Sequence, residues 1–291
     1  MPWAWHPHPD VWLLVAVLGG GYAWALRFLG PRRTALGAGA PAGDREPPAT
    51  RAQVAAFSLG LLVVWVGADW PVHDLAERSL YSVHMVQHLL FTLVAPPLLL
   101  LGTPAWLARE LLAPRWLYAA VRRLARPMSA LVLFNGLIVV THWPAFVDLT
   151  LRSEVMHFGA HAAIFGSALL MWCPVLGPLS ELQILSPPAQ MLYLFLQSIV
   201  PTVPASFLVF AERPMYHFYE HVPRLWGLSA GEDQRIGGLL MKIGGGLLLW
   251  LVITVLFFRW HTAEEEEEKQ ARRWRALDRE LDRSPTVRGG P

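Results

Sequence analysis

The feature that most limits how this chain can fold is a series of seven apolar runs, each about 17 to 22 residues long. They cover approximately residues 11–29, 52–68, 84–102, 127–147, 157–176, 189–210 and 236–258. A helix needs about 20 apolar residues to cross the roughly 30 Å hydrocarbon core of a bilayer. The sequence therefore predicts an all-α, polytopic integral membrane protein with seven transmembrane helices.

The composition agrees with a membrane protein and leaves no room for a separate soluble domain. Of the 291 residues, 54% are hydrophobic and only 16% are charged. We expect an outer N-terminal segment at residues 1–10, a seven-helix transmembrane domain at 11–260 with a linker at 30–51, and a charged tail at 261–291. The first ten residues lack the basic start of a signal peptide, so the first span is expected to remain in the protein.

Lysine and arginine are distributed unevenly between the connections. If seven helices alternate, eighteen of the twenty-four basic residues lie on one side, in the first connection, the third connection and the C-terminal tail. Connections rich in Lys and Arg stay in the cytoplasm. We therefore expect the N-terminus outside, with the linker and the tail in the cytoplasm. The tail, rich in Glu and Arg, predicts a solvated helix, and nothing favours nucleic acid as a partner.

Two His-x-x-x-His pairs open apolar spans: His84 with His88, and His157 with His161. Helix residues four apart lie about 6 Å from each other, a distance that one metal ion or two neighbouring ions can bridge. Alternating topology places both pairs at the same outer end of the bundle. A single interfacial histidine is more often structural. A group of them inside apolar helices is costly without partners and indicates a functional site.

Other residues extend this predicted metal site. His73 precedes the first pair and His142 ends the fourth span, so up to six imidazoles can converge. Imidazole suits copper, zinc, iron and nickel, and thioether sulfur favours Cu(I). The sequence neighbours Met85, Met156 and Met215 need not share the site, because adjacent helix residues point about 100° apart. The candidate acceptors for orienting the imidazoles are Asp69, Asp148 and Asp233. A third pair, His217 and His221, lies in an aromatic loop and has no assigned role.

Proline and glycine predict local departures from straight helices. Pro96 and Pro97 are expected to kink the third span, and Pro201 with Pro204 to bend the sixth. Glycines in the seventh span, between Gly237 and Gly246, are expected to allow close helix contact.

Four motifs together resemble the CtaG family of cytochrome c oxidase assembly factors, which are multi-span bacterial proteins distinct from the single-span copper chaperones of the same name. They are His73 ahead of HMVQHLLFTLVAPPLLLLG, HWPAF at 142–146, HFGAH at 157–161 followed by WCPVLGP, and EDQRIGG before the last span. The resemblance covers about residues 55–258. Cys173 departs from the apolar residue expected at its position.

The resemblance implies a protein of the bacterial inner membrane that helps to load or assemble the copper centres of haem-copper oxidases without catalysing a reaction. Its implied cofactor is copper, as Cu(I), and its implied partners are oxidase subunits and a periplasmic copper donor. Carried over by position, the metal ligands on the outer side are His73, His84, His88, His142, His157 and His161.

Three other readings remain open on the sequence alone. Membrane di-iron hydroxylases also carry His-x-x-x-His, but their histidine boxes include His-x-x-His-His and face the cytoplasm. This chain has no such box, and its histidines are expected to face outward. A bis-histidine haem carrier would use one residue of each pair as axial ligands. In a purely structural protein the histidines would only pack.

The charge distribution generates a first prediction. A reporter that is active only in the cytoplasm, fused after Pro291, should give signal, because the basic connections hold the C-terminus inside. The matched control is a reporter that is active only in the periplasm, fused at the same point. Signal from the periplasmic reporter alone would reverse the topology.

Overall fold

The computed structural model describes residues 5–30 and 47–283, with side chains to residue 280. Most of the predicted linker, residues 31–46, lies outside the described residues, as do residues 1–4 and 284–291. The helices, numbered here in chain order, are α1 Pro9–Leu29, α2 Arg51–Ala68, α3 Val72–Arg78, α4 Tyr81–Gly102, α5 Ala105–Leu111, α6 Arg115–Leu124, α7 Pro127–Thr141, α8 Pro144–Thr150, α9 Glu154–Leu176, α10 Pro187–Phe210, α11 His217–Glu220 and α12 at 230–283. No strand occurs in these described ranges.

Six helical segments of the described chain are long and apolar enough to cross a membrane: α1, α2 with α3, α4, α9, α10 and α12. A seventh is reached if α6 and α7, which meet at an angle of 79°, are counted as one span. The predicted all-helical membrane fold is confirmed. Which side each end faces stays a prediction.

The fourth span is shorter than the predicted 127–147. α7 ends at Thr141, and Trp143 adopts an extended backbone before Pro144 starts α8. A residue that precedes proline is pushed away from helical angles, and proline has no N–H for the helical ladder. The chain therefore breaks at the histidine end of α7, and His142 lies in the break.

The predicted kink of the third span is a π-helical turn at Leu90–Val94, just before Pro96 and Pro97. The two prolines remove the N–H groups that would reach the carbonyl of Thr92 at either α or π spacing. The indole Nε1 of Trp172 on α9 donates to that carbonyl at 2.9 Å instead. The kink thus leaves an acceptor that ties α4 to α9.

The later spans follow their glycine and proline signals. α10 is interrupted between Ile199 and Thr202, as its prolines predicted. A Cβ added at Gly237 of α12 would lie 2.6 Å from the ring of Tyr81 on α4, so the predicted close helix contact is present there. α12 contains a π-helical turn at Leu240–Gly244 and then continues unbroken through the predicted start of the tail, where every side chain from His261 to residue 280 is exposed.

A buried carboxylate joins α12 to the start of α4. Asp233 has none of its surface exposed and accepts from the backbone N–H of Tyr81 at 2.7 Å and of Ser82 at 3.0 Å. The hydroxyl of Ser82 donates to it at 2.5 Å. The first N–H groups of a helix have no partner within the helix, so this carboxylate acts as a cap supplied by a distant part of the chain.

The cap generates a second prediction. Replacing Asp233 by Ala should destabilise the fold by about 1 to 3 kcal/mol, because buried donors at the start of α4 lose a charged acceptor. Thermal unfolding of the purified protein measures the effect. The control is Asp278→Ala on the exposed part of the same helix, which should unfold like the unmodified protein. Equal unfolding temperatures for both variants would contradict the role of the cap.

Candidate metal centre

The two predicted histidine pairs come together. The ring centroids of His84 and His88 on α4 are 4.5 Å apart, and those of His157 and His161 on α9 are 4.4 Å apart. Between the helices, His161 lies 5.5 Å from His84 and 4.9 Å from His88. The four imidazoles therefore form one packed group between α4 and α9.

Three of these rings meet closely enough to share one ion. Nitrogen atoms of His84, His88 and His161 all lie within 4.8 Å of one another. Metal–imidazole bonds are about 2.0 to 2.1 Å long, so two nitrogens on one ion are at most about 4.2 Å apart. A small closure of the side chains is enough to satisfy this limit.

The two outlying predicted histidines lie at opposite edges of the group. His142, in the break after α7, has its ring 5.4 Å from that of His88. His73 on α3 has its ring 6.3 Å from that of His157. All six predicted residues are thus in one chain of neighbouring rings.

Burial leaves two of the ring nitrogens without partners. Within the described part of the chain, the Nδ1 atoms of His84 and His88 are buried and make no hydrogen bond. A buried polar atom without a partner costs about 1 to 3 kcal/mol. Imidazole nitrogens that are buried and unpartnered, on rings packed against further imidazoles, suit a cation that accepts lone pairs.

Glu77, which the sequence analysis missed, orders one side of the group. Its Oε1 lies 2.6 Å from Nδ1 of His157 and 3.2 Å from Nε2 of His73. A carboxylate only accepts hydrogen bonds, so both ring nitrogens donate to it. His157 is left with Nε2 as its lone-pair nitrogen, and this atom lies 3.0 Å from Nε2 of His161. The available sequence signal was the spacing of four between His73 and Glu77.

The remaining bonds engage both ring nitrogens of His73 and only one of His142. The amide Nε2 of Gln87 lies 3.3 Å from Nδ1 of His73, so both nitrogens of His73 are engaged and its ring positions Glu77. Nδ1 of His142 donates to the carbonyl of Ile138 at 2.7 Å. Burial lowers the pKa of His142 to about 4. Its ring is therefore neutral near pH 7 and keeps Nε2 as a lone-pair donor.

The three aspartates expected to orient the imidazoles do not contact the six-histidine group. Asp69 accepts from the indoles of Trp12 and Trp65, at 2.7 Å each. Asp148 accepts from the backbone N–H of Phe218 and pairs with His217 in the aromatic loop. Asp233 caps α4. That prediction was wrong, because a sequence does not show which nearby donors claim a carboxylate.

The N-terminal segment covers the outer edge of the group. The ring of His8 lies 4.8 Å from that of His73, and its Nε2 is 3.2 Å from a carboxylate oxygen of Asp74. Nδ1 of His6 is 3.4 Å from the other oxygen of Asp74. His8 thus continues the chain of rings from His73, and Asp74 links His8 to His6.

The methionines and the third histidine pair differ in how close they lie to the six-histidine group. Met85 lines a cavity of about 50 Å³ together with His88, His142 and Met241. Met156 is 41% exposed. His217 is exposed, and Nδ1 of His221 bonds the carbonyl of His217. One methionine near the first pair therefore reaches the neighbourhood of the site, and the His217 pair does not.

Two tyrosines between α10 and α12 hold the frame around the site. The hydroxyl of Tyr216 donates to the carbonyl of His142 at 3.0 Å, and that of Tyr219 donates to the carbonyl of Ala76 at 2.8 Å. Both tyrosines are buried. Because Ala76 precedes Glu77, these two tyrosines fix the backbone at both Glu77 and His142.

Comparison with known proteins agrees with this architecture. Residues 18–263 match the family described as cytochrome c oxidase caa3 assembly factor (Caa3_CtaG). No curated protein and no solved structure gives a significant match. The match extends beyond the region of 55–258 that the motifs indicated and includes every histidine of the central group. The chain therefore belongs to the caa3-type family of cytochrome c oxidase assembly factors.

Proposed function

We propose that this protein binds copper at the six-histidine group and that the bound copper serves the maturation of a haem-copper oxidase. The observation that carries the proposal is the meeting of His84, His88 and His161, two of which are buried and have an unpartnered ring nitrogen. The family supplies the assembly role. The metal is argued from the chemistry of the donors.

The residues divide into ligands and supports. His84, His88 and His161 form the core, and His157 and His142 offer Nε2 at its edges. His73 and Glu77 fix the ring of His157. A carboxylate that bonds a metal-binding imidazole selects its tautomer and raises its basicity.

The donor set favours copper, as Cu(I), over harder cations. It consists of neutral imidazoles, which suit copper and zinc, while Mg²⁺ and Ca²⁺ prefer oxygen. Met85 and Met241 border the cavity that His88 and His142 share, and thioether sulfur favours Cu(I). Copper is then the cargo of the protein, and no substrate has to be turned over.

The haem alternative fits the site poorly. Axial histidines lie on opposite faces of a porphyrin, so the ring plane must pass between them. Here the imidazoles of α4 and α9 pack directly on each other, with centroids 4.9 and 5.5 Å apart. No comparable observation favours the di-iron hydroxylase alternative.

On the expected topology, the site opens to the periplasmic side of a bacterial inner membrane. His6 and His8 then lie between the periplasm and His73. A copper donor in that compartment meets the exposed ring of His6 first, and the buried core last. Oxidase subunits in the same membrane are the receiving partners in this scheme.

The third prediction tests the ligands. His88→Ala and His161→Ala should each lower the Cu(I) affinity of the purified protein at least tenfold, because each removes a central donor. Competition with a coloured Cu(I) chelator measures the affinity. In a strain that lacks the protein, these variants should also fail to restore activity of the copper-containing oxidase.

The controls are His217→Ala and His221→Ala, which should keep the copper affinity and restore the oxidase. Normal copper affinity in folded His88→Ala and His161→Ala proteins would place the metal site elsewhere. If the two variants lose Cu(I) affinity as expected but still restore full oxidase activity, copper binding is separate from the assembly role.

The fourth prediction concerns the carboxylate. Glu77→Gln should weaken Cu(I) binding about 10- to 100-fold, the usual effect of losing a partner that orients a metal-binding imidazole. The matched control is Glu154→Gln, since Glu154 is an exposed acid in the first turn of α9, one turn before His157. The same chelator competition measures both. Equal affinities would show that Glu77 does not act on the site.

A further inference from the structure

The end of the bundle opposite the histidines carries an open, basic pocket in the angle between α6 and α7. Its volume is about 680 Å³, and its lining residues are Tyr118, Ala119, Arg122, Arg123, Arg126 and Ser129. α7 has 15 residues and separates this pocket from His142 by about 22 Å at 1.5 Å per residue. The pocket is therefore independent of the proposed copper site.

Side chains of α6 anchor the pocket to the rest of the bundle. Tyr118 and Val121 pack against a buried cluster of Ala108, Leu179 and Leu182, which joins α5 to the connection between α9 and α10. Tyr118 and Arg122 are four residues apart on α6 and so lie on one face of it, while Arg126 lies at the bend into α7. The arginines are thus presented by an anchored segment.

The positive charge of the pocket is not neutralised within the described chain. Arg122, Arg123 and Arg126 are exposed, and none of them forms an ion pair with a described carboxylate. Arg109, at the same end of the bundle, is paired with Glu181 at 2.6 Å. Three unpaired guanidinium groups in one pocket create a positive potential that attracts an anion.

The two helices that form the pocket also carry exposed apolar side chains. Trp116 is 74% exposed and Met128 is 69% exposed, and Leu124 is exposed between them. Tryptophan is enriched where a membrane meets water. A helix with apolar and basic residues that lies across the end of a span is typical of the headgroup region. The surroundings therefore suit a ligand with an anionic head and apolar chains.

We propose that this pocket binds the phosphate headgroup of an anionic phospholipid. Arginine donates to phosphate oxygens in pairs, and the hydroxyls of Tyr118 and Ser129 supply further donors. The acyl chains lie along the exposed face of α7, beside Met128. Basic pockets next to membrane spans recognise such headgroups, and the site would fix the angle between α6 and α7 in the bilayer.

The fifth prediction tests this site by native mass spectrometry of the full-length protein in detergent. Phosphatidylglycerol should bind at least severalfold more than phosphatidylcholine with the same acyl chains. The triple variant Arg122→Gln, Arg123→Gln, Arg126→Gln should lose this preference. The control carries Arg272→Gln, Arg273→Gln and Arg275→Gln on the exposed part of α12, with the same change in charge, and should keep it.

Two outcomes would overturn the proposal. One is an unchanged lipid preference in the triple variant, or an equal loss in the control. The other is complete displacement of phosphatidylglycerol by millimolar inorganic phosphate, which would make this a soluble-anion site only. Should the triple variant not fold, Arg122→Gln alone serves, because this exposed residue makes no contact that folding requires, and at least a threefold loss of preference is expected.

Discussion

The carboxylate of Asp233 is the interaction on which the geometry of the six-histidine group most depends. It caps α4 at Tyr81 and Ser82, so it sets the residue at which that helix begins and the direction in which the helix runs. His84 and His88 follow within two turns. In an apolar environment, uncapped N–H groups are costly, so α4 has one favourable starting position. The depth and direction of the first histidine pair are thereby set from α12, about 150 positions along the chain.

A second contact sets the partner helix. The prolines of α4 leave the carbonyl of Thr92 without a backbone donor, and Trp172 of α9 supplies one. This bond lies further along both helices than the histidines, and His84 and His161 meet nearer to the start of the two helices. Two helices joined at two levels have little freedom to slide. The spacing between the histidine pairs is therefore a property of the frame that the two helices form.

The sequence predicted what depends on composition and on spacing along one helix. Seven apolar runs gave the membrane fold, and the spacing of four put His84 beside His88 and His157 beside His161. Proline predicted the irregular turns in α4 and α10. Each of these inferences uses contacts within a single segment, which the order of residues determines directly.

The spacing of residues along one segment does not show which distant groups bond each other. Glu77 and Asp69 are similar acids in neighbouring positions, yet one bonds two histidines and the other bonds two tryptophans. The difference comes from α1 packing beside Asp69 and α9 packing beside Glu77. Asp233 is likewise a cap only because α12 passes the start of α4. Such assignments need the packed structure, and they account for the wrong predictions about the aspartates.

The charge of the six-histidine group adds an argument about which copper ion the proposed site would take. The central rings are buried, and one carboxylate, Glu77, bonds to the group through His73 and His157. A buried net charge is costly unless it is compensated. With neutral imidazoles and one ionised carboxylate, a monovalent cation gives a site with no net charge, whereas a divalent cation leaves one positive charge. The same carboxylate that orients His157 therefore also favours Cu(I) over Cu(II) in the proposed site.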